Sequence, residues 1–410
     1  MTTLISFLGR ASADPATGYR KARYRFPDGA EAETAFFGLA LREQLRAERF
    51  VLLGTPGSMW DVLVEHVAAS TGAGGGDGLE EARIALLEAA ERQAVDASHL
   101  ERLRPLLEAS LGCRCELVLI PYGRTAEEQE AVLDELDDAV RGCSEVVHFD
   151  LTHGLRHLAM VGLVAAHLLE TFRRDLSVEA VWYGAFELRG DEGVVPVLRL
   201  DGLVRLQAWI EAWRRFEDDG DYAVFADLVE MEEGDPELAE ALRRAAYFES
   251  VLNLPDARRR LLVVLERLGE QPLPGAGRIF TRRLRERLGW AYRDDLYEHQ
   301  RRLASLHLAK GDYLRAAILL NEAVLTRWMS ERGEGDVTRQ QDRERARRRM
   351  LEEMREARRD AEHEDFRLLE AIRNALAHGS VPEWRRAQGL LRSEARLRRE
   401  LERIGSRLLT

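Results

Sequence analysis

The feature that most limits the fold is a change of pattern near residue 200. Before it, apolar runs of strand length (4–8, 50–53, 115–120, 146–149, 178–183 and 194–200) alternate with stretches of helical spacing (33–45, 59–67, 125–140 and 155–172). Runs apolar on both faces, alternating with helices, predict an α/β Rossmann-like domain with a mostly parallel sheet. Thr125 is placed to cap the helix over 125–140, with Glu128 at the capping-box position. After residue 201 the pattern is all-helical. Leu206, Trp209, Ile210 and Trp213 share one side of 203–216, and Phe366, Leu369, Ile372 and Leu376 recur through 364–377. No 34-residue repeat is visible. The expected organisation is an α/β domain over 1–200, a linker helix over 201–240 and an all-α domain over 241–410. The charged stretch 339–365 reads as one long exposed helix.

At 410 residues the chain is long enough for two or three cores. No stretch reaches the roughly 18 to 20 apolar residues of a membrane span. The N-terminus lacks the basic start of a signal peptide, so a cytoplasmic protein with no membrane partner is expected. Three cysteines, Cys113, Cys115 and Cys143, suit a reducing compartment. No second pair completes a zinc site, so no metal and no cofactor is expected. The net charge of −12 argues against broad nucleic-acid binding. From 339 to 410, however, 19 Arg face 14 Asp and Glu, a local balance of +5. A basic segment on an acidic chain suits a local RNA site, although a solvated helix face explains most of those arginines. The Gly-rich patch 72–78 lacks the Lys-Ser/Thr ending of a phosphate loop and reads as a flexible connection.

In an open parallel sheet, ligands bind beyond the C-terminal strand ends. Asp150-Leu151-Thr152-His153-Gly154 lies at such an end, just before a helix whose free N–H groups suit phosphate. Gly154 permits close backbone approach. Thr152 and His153 offer hydrogen bonds, and Arg156 and His157 are placed toward the same crevice. Two other strand ends open to that side: Gly9-Arg10-Ala11-Ser12, and Gly54-Thr55. The competing reading makes Asp150 only a helix cap. The wider wording adds to this. Ile5-Ser6-Phe7-Leu8-Gly9, Tyr24-Arg25-Phe26, Asp150 through Arg156, and Trp182-Tyr183-Gly184-Ala185-Phe186-Glu187 together resemble the CARF domain of CRISPR-associated accessory proteins. The branch is the one named for its Asp-x-Thr-His-Gly motif. The resemblance implies a receptor for cyclic oligoadenylate, cyclic tetra-adenylate being the expected activator, bound across the axis of a homodimer or higher oligomer. Gly9, Arg10, Thr152, His153, Gly154 and Arg156 would line that pocket. Ser12, Thr55 and Asp150 join them as strand-end candidates.

A second motif, Arg373-Asn374-Ala375-Leu376-Ala377-His378-Gly379, lies in the helical half. RNA carries its own nucleophile, the ribose 2′-OH. Cutting it without metal needs a group that moves protons and a cation that holds phosphorane charge. Histidine and arginine suit those roles. Residues five apart on a helix are about 140° out of phase, whereas Asn374 and His378 share a face. One chain therefore presents an incomplete site, and two antiparallel copies combine theirs. An Arg–His pair at this spacing is common by chance, and a His beside a helix end is the commoner case. The segment nevertheless resembles the Arg-x4-His signature of HEPN ribonucleases, which implies Arg373, Asn374 and His378 as catalytic. Glu322, on an earlier helix, is a candidate supporting partner, although a solvent-facing glutamate is the commoner case. The combined reading is a cyclic oligoadenylate-activated endoribonuclease cutting single-stranded RNA. Two rivals remain. In one the helical half is a protein-interaction element without nuclease activity; in the other the first domain destroys the ring. A dinucleotide oxidoreductase is disfavoured, because no Gly-x-Gly-x-x-Gly follows the first strand.

Overall fold

The computed structural model describes residues 1–10, 19–70, 77–141, 145–173, 175–232 and 234–409. The chain forms two compact units, Met1–Ala208 and Trp209–Thr410. In the first, the elements run β1 (Thr2–Leu8), β2 (Ala22–Arg25), β3 (Glu31–Thr34), α1 (Phe37–Leu45), β4 (Arg49–Gly54), α2 (Asp61–Ser70), α3 (Asp77–Glu91), α4 (Ala97–Leu111), β5 (Arg114–Leu119), α5 (Ala126–Ala139), β6 (Glu145–Asp150), α6 (Arg156–Phe172), β7 (Leu176–Gly184) and β8 (Val194–Arg199). The eight strands form one sheet in the order β3-β2-β8-β7-β6-β1-β4-β5. β5, β4, β1, β6 and β7 are mutually parallel. β8 returns antiparallel to β7, β2 runs parallel to β8, and β3 closes the edge antiparallel to β2.

The strand period of two explains the double burial. Leu4, Leu8, Phe50 and Leu52 enter a core with α1, α2 and α4. Ile5, Phe7, Val51, Leu53, Val147 and Phe149 enter a second core with Val132 and Leu136 of α5 and Leu158, Ala165 and Leu169 of α6. Each fully buried side chain of this kind contributes roughly 1.5–3 kcal/mol. Thr125 caps α5, its Oγ1 accepting from Glu128 N at 3.2 Å. Glu128 reaches back one residue further than a capping box, accepting from Arg124 N. Cys113 and Cys115 are buried and free of disulfide; Cys143 lies outside the described residues. The helix expected over 33–45 begins only at Phe37. Residues 31–34 instead pair with 22–25 in a hairpin whose turn places Gly29 at φ +88°.

The second unit is all-helical. After α7 (Asp201–Asp219) come α8 (Val224–Met231), α9 (Pro236–Ser250), α10 (Leu254–Glu270), α11 (Thr281–Leu288), α12 (Leu296–Lys310), α13 (Tyr313–Arg332), α14 (Gln340–Glu356), α15 (Asp360–His378), α16 (Arg385–Leu391) and α17 (Glu394–Leu409). Segment 201–240 is thus not one linker helix. It holds α7, α8 and the start of α9, and from Trp209 it belongs to the second unit. Trp209 stacks on Phe225 and Phe280, which ties α7 into this core. The long exposed helix expected over 339–365 is also two helices. They break at 357–359, where Arg358 takes φ +54°, and α14 buries Ala346, Met350, Leu351 and Met354. Among the described residues no helix is long and apolar enough to cross a membrane.

Candidate functional site

In the first unit, β1, β4, β5 and β6 end side by side, and the connections after them build a crevice. β1 stops at Leu8, and Gly9 follows. A Cβ on Gly9 would stand 2.7 Å from Gly154 N, so only glycine lets the strand end nest against the turn after β6. Gly154 itself sits at φ +108°, a conformation side chains disfavour. Beyond β4, Ser58 Oγ accepts from Thr55 N at 2.9 Å and donates to Leu8 O at 2.7 Å. The hydroxyls of Thr55 and Ser58 are 3.2 Å apart. These bonds lock the strand ends together.

Asp150 is fully buried at the end of β6. Its carboxylate accepts from Ser6 Oγ at 2.5 Å and from Thr152 N at 2.9 Å. Burial pushes its pKa up to about 6 despite those bonds. It is not the cap of α6, which starts six residues later with Leu155 at the N-cap and no side-chain cap. Thr152 Oγ1 accepts from Gly184 N at 2.8 Å, fastening the turn to the end of β7. His153 Nε2 accepts from Phe37 N at 3.1 Å at the start of α1, and the ring lies 5.2 Å from that of Phe36. Acceptance at Nε2 fixes the proton on Nδ1, and burial pushes the ring's pKa down to about 4.

A cavity of about 280 Å³ opens where these ends meet, lined by Gly9, Arg10, Thr55, Ser58, Tyr122, Arg124, Leu155 and His157, among others. Of the expected residues, Gly9, Arg10, Thr55 and His157 are on its wall, and Gly154 backs directly onto Gly9. Arg156 is exposed in the first turn of α6. Asp150, Thr152 and His153 are not on the wall; their side chains hold the turn from behind. Ser12 lies outside the described residues. Sequence reasoning missed Ser58, Tyr122 and Arg124. The last two follow β5, a strand end recognisable by the same rule as the other three. Arg124 lies over the Tyr122 ring at 4.4 Å, and His157 Nε2 is 2.7 Å from Tyr122 O. Tyr122 Oη is buried without a hydrogen-bond partner among the described residues. The wall thus offers two arginines, a free phenol and an uncapped helix start, a set that suits a phosphate-bearing ligand.

In the second unit, α15 carries the other motif. Phe366, Leu368, Leu369, Ile372 and Ala375 are buried, which fixes the helix's rotation. Arg373 is left half-buried at the edge of that stripe, while Asn374 and His378 are exposed. Gly379, at φ +60°, ends the helix with its N–H on Ala375 O. Nearby arginines are mostly paired: Arg343 with Glu322, Arg347 with Glu370, Arg386 with Glu364 and Glu400, Arg403 and Arg407 with Asp365. Arg373, Asn374 and His378 have no side-chain hydrogen bond or ion pair among the described residues. Glu322 does not support them; Arg343 takes its carboxylate and also donates to Thr326 Oγ1 at 3.0 Å.

Residues 3–187 match the family described as CRISPR system endoribonuclease Csx1, CARF domain. A curated relative, the CRISPR-associated protein MJ1674 of Methanocaldococcus jannaschii, is 21% identical over 271 residues. That match covers 62% of this chain and 41% of the relative, so the chain spans less than half of the relative's length. Among solved structures, Enterococcus italicus Csm6 bound to cyclic hexa-2′-fluoro-hexa-dAMP aligns over 100% of this chain and 94% of its own, with 12% identity and a TM-score of 0.39. The family match falls on the unit that holds the Asp150–Gly154 turn and its crevice, so this part of the chain is similar to the CARF domain of Csx1-type CRISPR proteins.

Proposed function

We propose that this protein is a cytoplasmic, homodimeric endoribonuclease of HEPN type, switched on by cyclic oligoadenylate. The observation that carries the nuclease reading is the free triad at the end of α15. In a segment whose other cations are mostly neutralised, Arg373, Asn374 and His378 make no side-chain hydrogen bond or ion pair among the described residues, and Asn374 and His378 are exposed near the helix end. On single-stranded RNA, the 2′-oxygen attacks the adjacent phosphorus and the P–O5′ bond breaks. A 2′,3′-cyclic phosphate and a 5′-hydroxyl result. His378 moves the proton, Arg373 holds the charge on the phosphorane oxygens, and Asn374 orients the phosphate by hydrogen bonding. Proton transfer and charge stabilisation of this kind each contribute about 10² to 10⁴ in rate. Because Arg373 and His378 point to different sides of α15, each working site takes its arginine from one protomer and its histidine from the other.

The CARF family match and the chemistry of the crevice support cyclic oligoadenylate, cyclic tetra-adenylate among them, as the activator. Turning a switch from 1:99 to 99:1 needs roughly 5.5 kcal/mol of differential binding. Arg10, Arg124 and an uncapped α6 start, doubled across a dimer, are a sufficient source. The test is cleavage of a labelled single-stranded RNA with and without a panel of cyclic oligoadenylates, in wild type, Arg373→Ala and His378→Ala. Ring-dependent cleavage by wild type alone supports the reading. Full activity in either variant rejects the site, and ring binding without any cleavage favours the protein-interaction rival.

A further inference from the structure

The half-buried Arg373 hides one atom that needs a partner and has none. Its Nε is shielded from solvent without a hydrogen bond among the described residues. An atom so covered is out of reach of an RNA phosphate, so its acceptor must come from inside the protein. One helical turn earlier on α15, Glu370 has the complementary defect. Its side chain is 7% exposed, one carboxylate oxygen accepts from Arg347 Nε, and the other, Oε2, is buried without a hydrogen bond. The exposed Arg367 stands 3.8 Å from that oxygen, beyond hydrogen-bonding distance. Residues three apart on a helix lie on one face with Cβ atoms about 5–6 Å apart, within reach of a glutamate and an arginine. One orphan donor and one orphan acceptor a helical turn apart are a pair that a direct contact or one ordered water satisfies.

We infer that Glu370 is a positioning residue for Arg373. Its Oε2 takes the Nε–H of Arg373, directly or through one ordered water. Anchored there, the guanidinium turns its two terminal amino groups outward in a fixed direction. Arg347, holding the other oxygen, fixes the carboxylate itself. This rests on the ribonuclease reading of Arg373 above and adds to it the residue that aims the arginine. Misplacing a catalytic group by about 1 Å can cost 10²-fold in rate, so the effect belongs in kcat.

The experiment uses the full-length protein, cyclic tetra-adenylate and a labelled RNA. Glu370→Gln is expected to lower kcat about 10- to 100-fold with KM, ring affinity and melting temperature little changed. In an Arg373→Lys background, which has no Nε–H, the same change should cost less than about threefold, the non-additivity of residues acting as a unit. If Glu370→Gln does not fold, Arg347→Met, at a more exposed position, serves instead and should also lower kcat at constant KM. Wild-type kcat in Glu370→Gln, or an equal loss in both backgrounds, overturns the inference. Wild-type activity in Arg373→Ala would instead reject the nuclease site itself, so the two failures are distinguishable.

Discussion

Asp150→Asn isolates the cost of building the turn on a buried carboxylate. The carboxyl is fully buried and its pKa is pushed from 3.8 to about 6. A carboxyl whose pKa is raised on folding stabilises the folded state only while protonated, and that contribution disappears as pH rises through about 6. At about 1.4 kcal/mol per pH unit, holding the charged form inside costs roughly 3 kcal/mol above pH 7. Somewhat under half of that, about 1.3 kcal/mol, is recovered between pH 7 and pH 5. Asparagine keeps an acceptor for Thr152 N and presents an amide to the Ser6 hydroxyl, so it replaces the geometry without the charge. His153, pushed down to about 4, titrates with the opposite sign: its neutral form supports folding above pH 6.5, and that support fades as pH falls. The His153 contribution is common to both proteins and cancels in the difference between them. Urea denaturation of wild type and Asp150→Asn at several pH values is the assay. The stability of wild type minus variant should rise by about 1.3 kcal/mol from pH 7 to pH 5. A difference that stays flat, or falls, across that interval would refute the reasoning.

Gly9→Ala places a Cβ 2.7 Å from Gly154 N. The overpacking should cost about 1–3 kcal/mol and weaken cyclic oligoadenylate binding, both measurable by calorimetry. Arg124→Ala removes an arginine from the cavity wall. It should weaken ring affinity about tenfold and flatten its salt dependence, because one fewer cation meets a phosphate. Asp365→Ala deletes the buried carboxylate that clamps Arg403 and Arg407. It should lower the stability of the helical unit by about 1.5–3 kcal/mol, read by chemical denaturation.

The central strands were legible because β1, β4 and β6 are apolar on both faces, a pattern few alternatives share. The edge hairpin was not. Ala22–Arg25 and Glu31–Thr34 carry charge and expose every second residue, so they read as loop or as the start of a helix. The break between α14 and α15 left no trace either, since it is made by a non-glycine residue, Arg358, at positive φ. In the crevice, Gly9 and Thr55 followed from the rule that ligands meet strand ends. The direction of Thr152 and His153 did not follow, because their partners, Gly184 N and Phe37 N, lie 32 and 116 residues away. On α15, the phase of the buried stripe was enough to leave Arg373 at its edge. Nothing in the sequence marks the orphan Nε, which depends on how the neighbouring helices pack.

The most direct test of the central proposal is subunit complementation. Arg373→Ala and His378→Ala proteins are mixed one to one, and RNA cleavage is followed with and without cyclic tetra-adenylate. Sites that join one protomer's arginine to the other's histidine leave one intact site in each mixed dimer. By that symmetry about a quarter of wild-type activity should return, and only with the ring present. Activity no higher than that of either variant alone would contradict the account.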